Sequence, residues 1–251
     1  MIMTSRLRCS EGINSRPLVA DDFQMSEQIT KALFEYDRTR ARDAGARYVC
    51  GADEVGYGCW AGPLVVAAVR FDYDRLELAT EARLTGMNDG KKMSASLRAA
   101  LLPVIMEVAD TAAVVVTSAA QIDCDGPRLA NLRALGGALR AVSVARSLNL
   151  VDWHDLQDID DWGFDDQPQR VEGGDRTSAA IAAASIVAKE TRDELMRRLH
   201  ERYPGYDFAT HKGYGTRGHA TAIRTMGCLS AVHRRSFSPK VYAEIGITQA
   251  A

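Results

Sequence analysis

The sequence lacks the features that mark several protein classes. Its 251 residues include only five cysteines, an odd number without a C-x-x-C pair, which disfavours a disulfide framework and a cysteine-built zinc site. No apolar run approaches the roughly 20 residues that a membrane-spanning helix requires. No hydrophobic segment follows the first charges, as a secretory signal would need. The formal net charge is only −2, so any attraction to nucleic acid must come from local basic clusters. We therefore expect a cytoplasmic protein that does not bind a membrane.

Apolar patterns along the chain predict strands that alternate with helices. Strands are predicted at 48–53, 61–71, 111–119 and 148–153, and helices at 26–48, 93–110, 127–147 and 178–203. Residues 153–174 are acidic and aperiodic, which predicts a loop. The order indicates an α/β fold with a central mixed sheet flanked by helices, followed by a helical C-terminal region. Because no linker divides the chain, we expect a disordered tail at 1–25 and a single domain at 26–251.

Four acidic residues lie where predicted strands end or a predicted helix begins. Asp53 and Glu54 follow an apolar strand, Asp152 closes another, and Asp175 precedes the long helix. Adjacent residues of a regular strand point to opposite faces, so we expect the chain to turn at Asp53 and Glu54 and let both converge. Carboxylates without a matching set of histidines or cysteines favour a hard cation such as Mg²⁺ or Mn²⁺. Two such ions about 3.5–4 Å apart can activate a water and stabilise the leaving oxygen of a phosphodiester.

Each of these acids also has a simpler interpretation. Asp175 alone is compatible with a helix N-cap, and Asp152 alone with an ordinary loop acid. Asp53 and Glu54 are compatible with an acidic turn, although an acidic pair between apolar and glycine-rich segments is unusual for a solvated surface. The acids of the predicted loop are interpreted as solvated.

Basic residues form local clusters. Lys91 and Lys92 precede a helix, segment 211–219 reads HKGYGTRGH and includes Tyr214, and segment 233–237 reads HRRSF. Basic groups that contact phosphates, with an interleaved aromatic ring for a sugar or base, are typical of a nucleic-acid groove. The alternatives are a solvated face, or arginines that pair with the acidic loop. The segment IAAASIVAK, 181–189, predicts a helix packed tightly against its neighbours.

Taken together, these motifs resemble a known family. Over residues 32–243 the chain is similar to type 2 ribonuclease H, RNase HII. The motifs that carry the resemblance occur in the order and approximate spacing of that family: GADEVGYGCWAGPLVVAAV, NDGKKMS, IDCDGPRLANL, GGDRTSAAIAAASIVAKETRD, YPGYDFATHKGYGT and HRRSF. The resemblance implies an RNase H-like fold and a metal-dependent endoribonuclease. Its expected substrates are RNA–DNA hybrids and duplex DNA with embedded ribonucleotides, incised on the 5′ side to leave 3′-hydroxyl and 5′-phosphate ends.

The resemblance also assigns residues. It implies that the metal-binding and catalytic acids are Asp53, Glu54, Asp152 and Asp175, the same four that the chemistry indicates, with Mg²⁺ or Mn²⁺ in a two-metal site. Tyr214 corresponds to the family tyrosine that packs on the deoxyribose beyond the junction. The implied substrate-binding residues are Gly56, Tyr57, Gly58, Lys91, Lys92, Ser185, Lys189 and Tyr214.

The sequence departs from the family at two places. The family's glycine-arginine-glycine, which senses the 2′-hydroxyl largely through backbone groups, reads here as Gly56, Tyr57 and Gly58. The loss of a positive charge beside the scissile region leaves open whether single ribonucleotides are cut as well as longer RNA tracts. After Asp152 the family continues with glycine and asparagine, whereas this chain continues with Trp153 and His154.

Two alternatives to this function stay open. One is an enzyme of the same fold with another substrate, such as RNase HIII or a nuclease that cuts DNA; RNase HIII carries an N-terminal substrate-binding domain that about 25 unpatterned residues cannot supply. The other is a hybrid-binding module without catalysis. The C-terminal SPKVYAEIGITQAA shows no clear sliding-clamp peptide, and we expect a monomer.

Overall fold

The described part of the chain, residues 20–88, 90, 93–152, 167–237 and 240–246 of a computed structural model, alternates strands with helices. The strands are β1 (Tyr48–Val55), β2 (Leu64–Asp72), β3 (Thr111–Thr117), β4 (Ser147–Val151) and β5 (Gln169–Arg170). The helices are α1 (Ala20–Asp43), α2 (Leu78–Ala82), α3 (Ala95–Val108), α4 (Ala119–Asp125), α5 (Pro127–Val142), α6 (Ala179–Arg202), α7 (Phe208–His211), α8 (Arg217–Met226) and α9 (Lys240–Glu244). Single 3₁₀ turns lie at Gly174–Arg176, Pro204–Tyr206 and Arg235–Phe237.

The strands form one mixed sheet in the order β3-β2-β1-β4-β5. β1 and β2 pair antiparallel, as do β2 and β3, whereas β4 runs parallel to β1 and β5 parallel to β4. The predicted mixed sheet is confirmed. β5 lies in the segment predicted as a loop. The sequence does not predict this strand, because two residues are too few to show an alternating apolar pattern. Residues 153–166 of that segment lie outside the described residues.

Helices cover both faces of the sheet. Side chains alternate along β2, so Val65, Ala67 and Val69 face α6, and Val66 and Ala68 face α5. This arrangement explains why β2 reads as a continuous apolar run rather than an alternating one.

Helix α6 contacts the sheet through its backbone. A Cβ on Gly51 of β1 would lie 2.3 Å from the carbonyl carbon of Ala180 and from the nitrogen of Ile181. The side chains of residues 179–184 in α6 are buried. The tight packing predicted for this alanine-rich helix is confirmed, and it brings the start of α6 directly onto β1.

The helical C-terminal region that the sequence predicts is also confirmed. It has its own buried cluster, formed by Ala61, Met196, Tyr206, Phe208, Ile223, Val232, Val241 and Tyr242. Because Ala61 follows β1 and Met196 lies on α6, this cluster fixes the C-terminal helices against the end of the sheet. In the described residues, no helix combines the length and apolarity needed to cross a bilayer.

The N-terminal boundary differs from the prediction. Helix α1 begins at Ala20, within the tail predicted for 1–25. Adding residues to an existing helix requires no apolar periodicity, since each added residue contributes a backbone hydrogen bond. Residues 1–19 lie outside the described residues.

Candidate active site

Asp53 and Asp152 are brought together by the pairing of two parallel strands. The register of β1 with β4 pairs Ala52 with Val151, so the next residue of each strand is an aspartate. The Asp152 amide donates to the Ala52 carbonyl over 3.2 Å, which extends the pairing to the first acid after β4. Asp53 is buried and Asp152 is half-buried. Parallel pairing therefore places two carboxylates at one edge of the sheet.

Asp175 reaches the same edge from the turn that precedes α6. The amide of Gly174 donates to Oδ1 of Asp152 over 3.1 Å, which ties this turn to the end of β4. A Cβ on Gly174 would lie 2.6 Å from Cδ1 of Ile181 and 3.3 Å from Cβ of Asp152, so the turn packs closely against both. The N-cap of α6 is Ser178, whose hydroxyl accepts from the Ile181 amide. Asp175 is therefore not the helix cap, which excludes its simpler interpretation.

Three carboxylates converge. Each of Asp53, Asp152 and Asp175 offers an oxygen within 4.8 Å of the others, and Asp53 and Asp175 are buried. At an effective dielectric constant of about 20, each pair of charges at this separation repels by about 3 kcal/mol. Arg176 approaches Asp175 at 3.8 Å but is more than half exposed, so it offsets little of this repulsion. The donor set suits a hard divalent cation.

Glu54 lies next to this group but not in it. We expected the chain to turn at this point, and that expectation is wrong, because β1 continues to Val55 and pairs with Val65 of β2. A strand alternates its side chains, so Glu54 leaves β1 on the face opposite to Asp53. Its amide donates to Oδ1 of Asp53 over 2.8 Å, which holds the Asp53 carboxylate along the strand.

The loop between β1 and β2 contains the predicted sugar-sensing residues. Gly56 has a φ of +86°, and a Cβ there would lie 2.1 Å from Nε of Arg192, so this position requires glycine. Tyr57 and Gly58 are exposed. Two buried arginines, Arg192 and Arg234, lie beneath the loop. Sequence reasoning missed Arg192 and assigned Arg234 to a nucleic-acid groove, an interpretation that its burial contradicts.

Tyr214 lies beside that loop. It is 44% exposed, as a ring that packs on a sugar must be. Its neighbours fix the backbone: a Cβ on Gly213 would lie 2.2 Å from the Ala61 carbonyl oxygen, and one on Gly215 would lie 2.2 Å from the Trp60 ring. The structure thus brings Tyr214 and the predicted sugar-sensing loop to adjacent positions.

The remaining predicted contacts lie on or near α6. Ser185 is buried against Gly90, where a Cβ would approach its Oγ to 3.0 Å. Lys189 is partly buried, and its Nζ lies 2.7 Å from Oδ1 of Asp193. Lys91, Lys92, Trp153 and His154 lie outside the described residues.

Sequence reasoning missed a further acid that positions the site. Asp37 of α1 is fully buried and accepts from the Ala180 amide over 2.9 Å and from the Tyr73 hydroxyl over 3.1 Å. Burial raises the pKa of Asp37 to about 7, against the opposing effect of these hydrogen bonds. Its position could have revealed it, because Asp37 falls on the apolar stripe of Leu33, Phe34 and Ala41.

Known proteins are similar to this chain in sequence and in fold. The family model for ribonuclease HII matches residues 50–240. The ribonuclease HII of Rhizobium etli is 42% identical over 207 residues, which cover 82% of this chain and 85% of that relative. The ribonuclease H2 structure from Pyrococcus horikoshii has a TM-score of 0.63 at 21% identity, covering 80% of this chain and 100% of that one. A structure of Bst-RNase HIII in complex with Mn²⁺ has a TM-score of 0.60 at 23% identity, covering 82% of this chain and 72% of that one. These likenesses confirm the RNase H-like fold.

Proposed function

The chain belongs to the ribonuclease HII family, and from this premise we propose that it cleaves the RNA strand of RNA–DNA hybrids and incises duplex DNA 5′ of an embedded ribonucleotide. Family membership supports a ribonuclease H acting on hybrids. Incision at single ribonucleotides, with 3′-hydroxyl and 5′-phosphate ends, is the finer part of the proposal. The observation that supports metal-dependent hydrolysis is the convergence of Asp53, Asp152 and Asp175 at one edge of the sheet.

The acids fit a divalent metal centre. Carboxylate oxygens are the ligands that Mg²⁺ and Mn²⁺ prefer, and a cation would relieve the repulsion among the three acids. Such ions, when bound, lower the pKa of a water and stabilise charge on a leaving oxygen. The Mn²⁺ complex of the structurally similar RNase HIII supports the same class of cation. We propose that Asp53 and Asp175 hold one ion and that Asp152 holds a second that Asp53 shares. Glu54, the fourth acid that the sequence predicts as a ligand, is assigned to neither ion, because it leaves β1 on the opposite face.

The remaining residues would bind and orient the nucleic acid. We assign the backbone of Gly56, Tyr57 and Gly58 to the ribose, and the exposed ring of Tyr214 to the deoxyribose beyond the junction. Ser185, Lys189, Lys91 and Lys92 are assigned to the strand backbone. The pairing of Lys189 with Asp193 fixes where its charge lies. A single catalytic domain, a monomeric state and a cytoplasmic location stay predictions.

The test is cleavage of two end-labelled duplexes with Mg²⁺ or Mn²⁺, one containing a single ribonucleotide and the other a continuous RNA–DNA hybrid. The wild-type protein should cut both. Asp53→Asn should lower kcat/KM on each by at least roughly a hundredfold, since a metal site contributes several kcal/mol to stabilising the transition state. Asp43→Asn, at the exposed end of α1, is the matched control and should retain full activity.

The alternatives give different results. Cleavage of an all-DNA duplex would favour a nuclease that cuts DNA strands. Binding of the hybrid without cleavage under either metal would contradict the enzyme and leave a hybrid-binding module. Cleavage of the hybrid alone would mean that the loop with Tyr57 in place of arginine does not recognise a single ribonucleotide.

A further inference from the structure

Arg234 is a buried cation with an unusual set of partners. Its side chain is 0% exposed, and two of its three nitrogens donate to backbone carbonyls: Nε lies 3.0 Å from the Gly62 oxygen and Nη1 lies 2.8 Å from the Tyr57 oxygen. The third, Nη2, has no hydrogen-bond partner among the described residues. Its guanidinium carbon lies 5.2 Å from the centroid of the Phe237 ring. Burial lowers the pKa of Arg234 to about 10, so the group stays charged at neutral pH. A buried charge is unfavourable unless its hydrogen bonds are made, so these contacts are strongly held.

The Tyr57 carbonyl belongs to the central peptide of a turn. The Cys59 amide donates to the Gly56 oxygen over 3.3 Å, which closes a four-residue turn with Tyr57 and Gly58 in the middle. In such turns the central peptide has two common orientations, which distinguish type I from type II. Type II requires a positive φ at the third residue, which glycine tolerates, and Gly58 does not have a positive φ here. Gly58 thus permits both orientations, and the structure has one of them.

The contact from Arg234 selects that orientation. In a trans peptide the carbonyl of one residue and the amide hydrogen of the next point in opposite directions. Holding the Tyr57 carbonyl toward buried Arg234 therefore directs the Gly58 N–H outward. Gly58 is exposed, and no atom lies within 4 Å of where its Cβ would be, so a ligand can approach this amide.

A second buried arginine fixes the rest of the loop. Arg192 of α6 donates from Nε to the Pro63 oxygen over 2.9 Å and from Nη2 to the Ala61 oxygen over 3.3 Å. Its Nη1 donates to the Lys212 oxygen over 2.9 Å, which joins the segment that carries Tyr214. Because Arg192 holds the C-terminal end of the loop, it leaves the central peptide to the contact from Arg234.

We propose that Arg234 is a positioning residue for sugar recognition: it fixes the Tyr57–Gly58 peptide so that the Gly58 N–H is presented to the 2′-hydroxyl at the cleavage site. This role rests on the proposed function, since it requires a ribonucleotide in the groove. It assigns recognition to a main-chain donor whose direction is set by a side chain that never touches the substrate. The changed middle residue of the loop is compatible with it, because Tyr57 contributes its carbonyl and not its ring.

The experiment compares the affinity for two duplexes, one with a single ribonucleotide and one all-DNA, with Ca²⁺ present so that binding is measured without cleavage. The ratio of the two Kd values reports ribose preference and does not depend on the fraction of folded protein. Arg234→Lys keeps the charge but replaces the planar fork, which reaches the Gly62 and Tyr57 carbonyls from two separate nitrogens, with a single nitrogen. We expect it to reduce the wild-type preference roughly three- to tenfold, the worth of one hydrogen bond, and Arg234→Met to remove it. Arg224→Lys, in an exposed pair with Glu244, is the matched control and should keep the wild-type ratio.

A second measurement covers the case in which the Arg234 variants do not fold. In ¹⁵N-glycine-labelled wild-type protein, with the Gly58 resonance assigned by its loss in Gly58→Ala, that amide should shift on binding the ribonucleotide duplex and not on binding the all-DNA duplex. Wild-type ribose preference that persists in both Arg234 variants, or an unmoved Gly58 amide, would overturn the role of Arg234 while leaving the proposed function intact. A wild-type protein that neither prefers nor cuts the ribonucleotide duplex would overturn both.

Discussion

A chain of buried histidines behind Tyr214 should make the stability of the fold depend on pH. His219 Nδ1 lies 2.9 Å from the Tyr214 carbonyl oxygen and must donate to it. The Leu229 amide donates to Nδ1 of His233 over 2.9 Å, so the proton of neutral His233 is on Nε2. That nitrogen lies 3.2 Å from Nε2 of His219 and donates to it. Every contact is satisfied only when both rings are neutral.

The magnitude follows from the shifts in pKa. Burial lowers the pKa of His219 and of His233 from 6.5 to about 4. Between these values the unfolded chain binds protons that the folded protein does not, so each histidine makes stability rise with pH, by about 2.5 kcal/mol from pH 4 to 6.5. The stability is fully present above pH 6.5 and is lost as pH falls toward 4. Asp37 has the opposite effect. Its pKa is raised from 3.8 to about 7, so its contribution to the stability of the fold is present at low pH and is lost as pH rises. We therefore expect a net rise of about 2 kcal/mol for the wild-type protein from these groups.

The assay is urea unfolding at half-unit steps from pH 4 to 7.5, and the variants are chosen to keep the local hydrogen bonds. His219→Asn retains a donor toward Tyr214, and His233→Asn retains an acceptor for the Leu229 amide. Each should remove about 2.5 kcal/mol of the rise, so the stability of either variant should become flat or fall slightly with pH. Asp37→Asn should steepen the rise to about 5 kcal/mol, which gives a control of opposite sign. A wild-type slope that survives both histidine substitutions would refute the neutral histidine chain.

Two further predictions concern packing and buried charge. Gly51→Ala should destabilise the fold by at least about 3 kcal/mol in urea unfolding, because its Cβ would lie 2.3 Å from the backbone of Ala180. The control Gly58→Ala, in open space, should change stability by less than about 1 kcal/mol. Equal effects would contradict the close contact of α6 with β1. Arg98→Met should cost about 3–5 kcal/mol, because it removes the buried cation that pairs with Glu190 and leaves Asp193 with Lys189 alone. Arg83→Gln, in an exposed pair, should cost less than about 1 kcal/mol, and a small loss at Arg98 would refute the importance of the buried network.

The sequence predicts the parts of the site that depend on local patterns. Asp53 and Asp152 each follow an apolar strand, and parallel pairing of those strands is enough to place their carboxylates side by side. The position of Asp175 before α6 is equally readable, because Ser178 and the alanines mark where the helix starts. These predictions need only the pattern of apolar residues along the chain and the rule that functional groups gather at strand ends.

Other features depend on contacts distant in sequence and could not be read from the chain. Arginine is usually a surface residue, and Arg192 and Arg234 are buried here because α6 and the C-terminal segment pack under the β1–β2 loop. The face of Glu54 depends on whether β1 ends one residue earlier or later. The end of β1 is fixed by its pairing with β2, which continues as far as Val65. The local sequence of β1 does not indicate where this pairing ends.

The geometry of the acids depends on small residues as much as on the acids themselves. Asp175 lies between the turn that Gly174 ties to Asp152 and the start of α6, so its distance from Asp53 depends on how closely that helix approaches β1. Glycine at 51 and alanine at 180 allow the two backbones to touch, and Gly174 allows the preceding turn to reach Asp152. A chain with the same acids and larger residues at these positions would keep its charges but hold Asp175 too far away to share a cation. The convergence of the three aspartates therefore depends on these small residues as much as on the order of the acids in the chain.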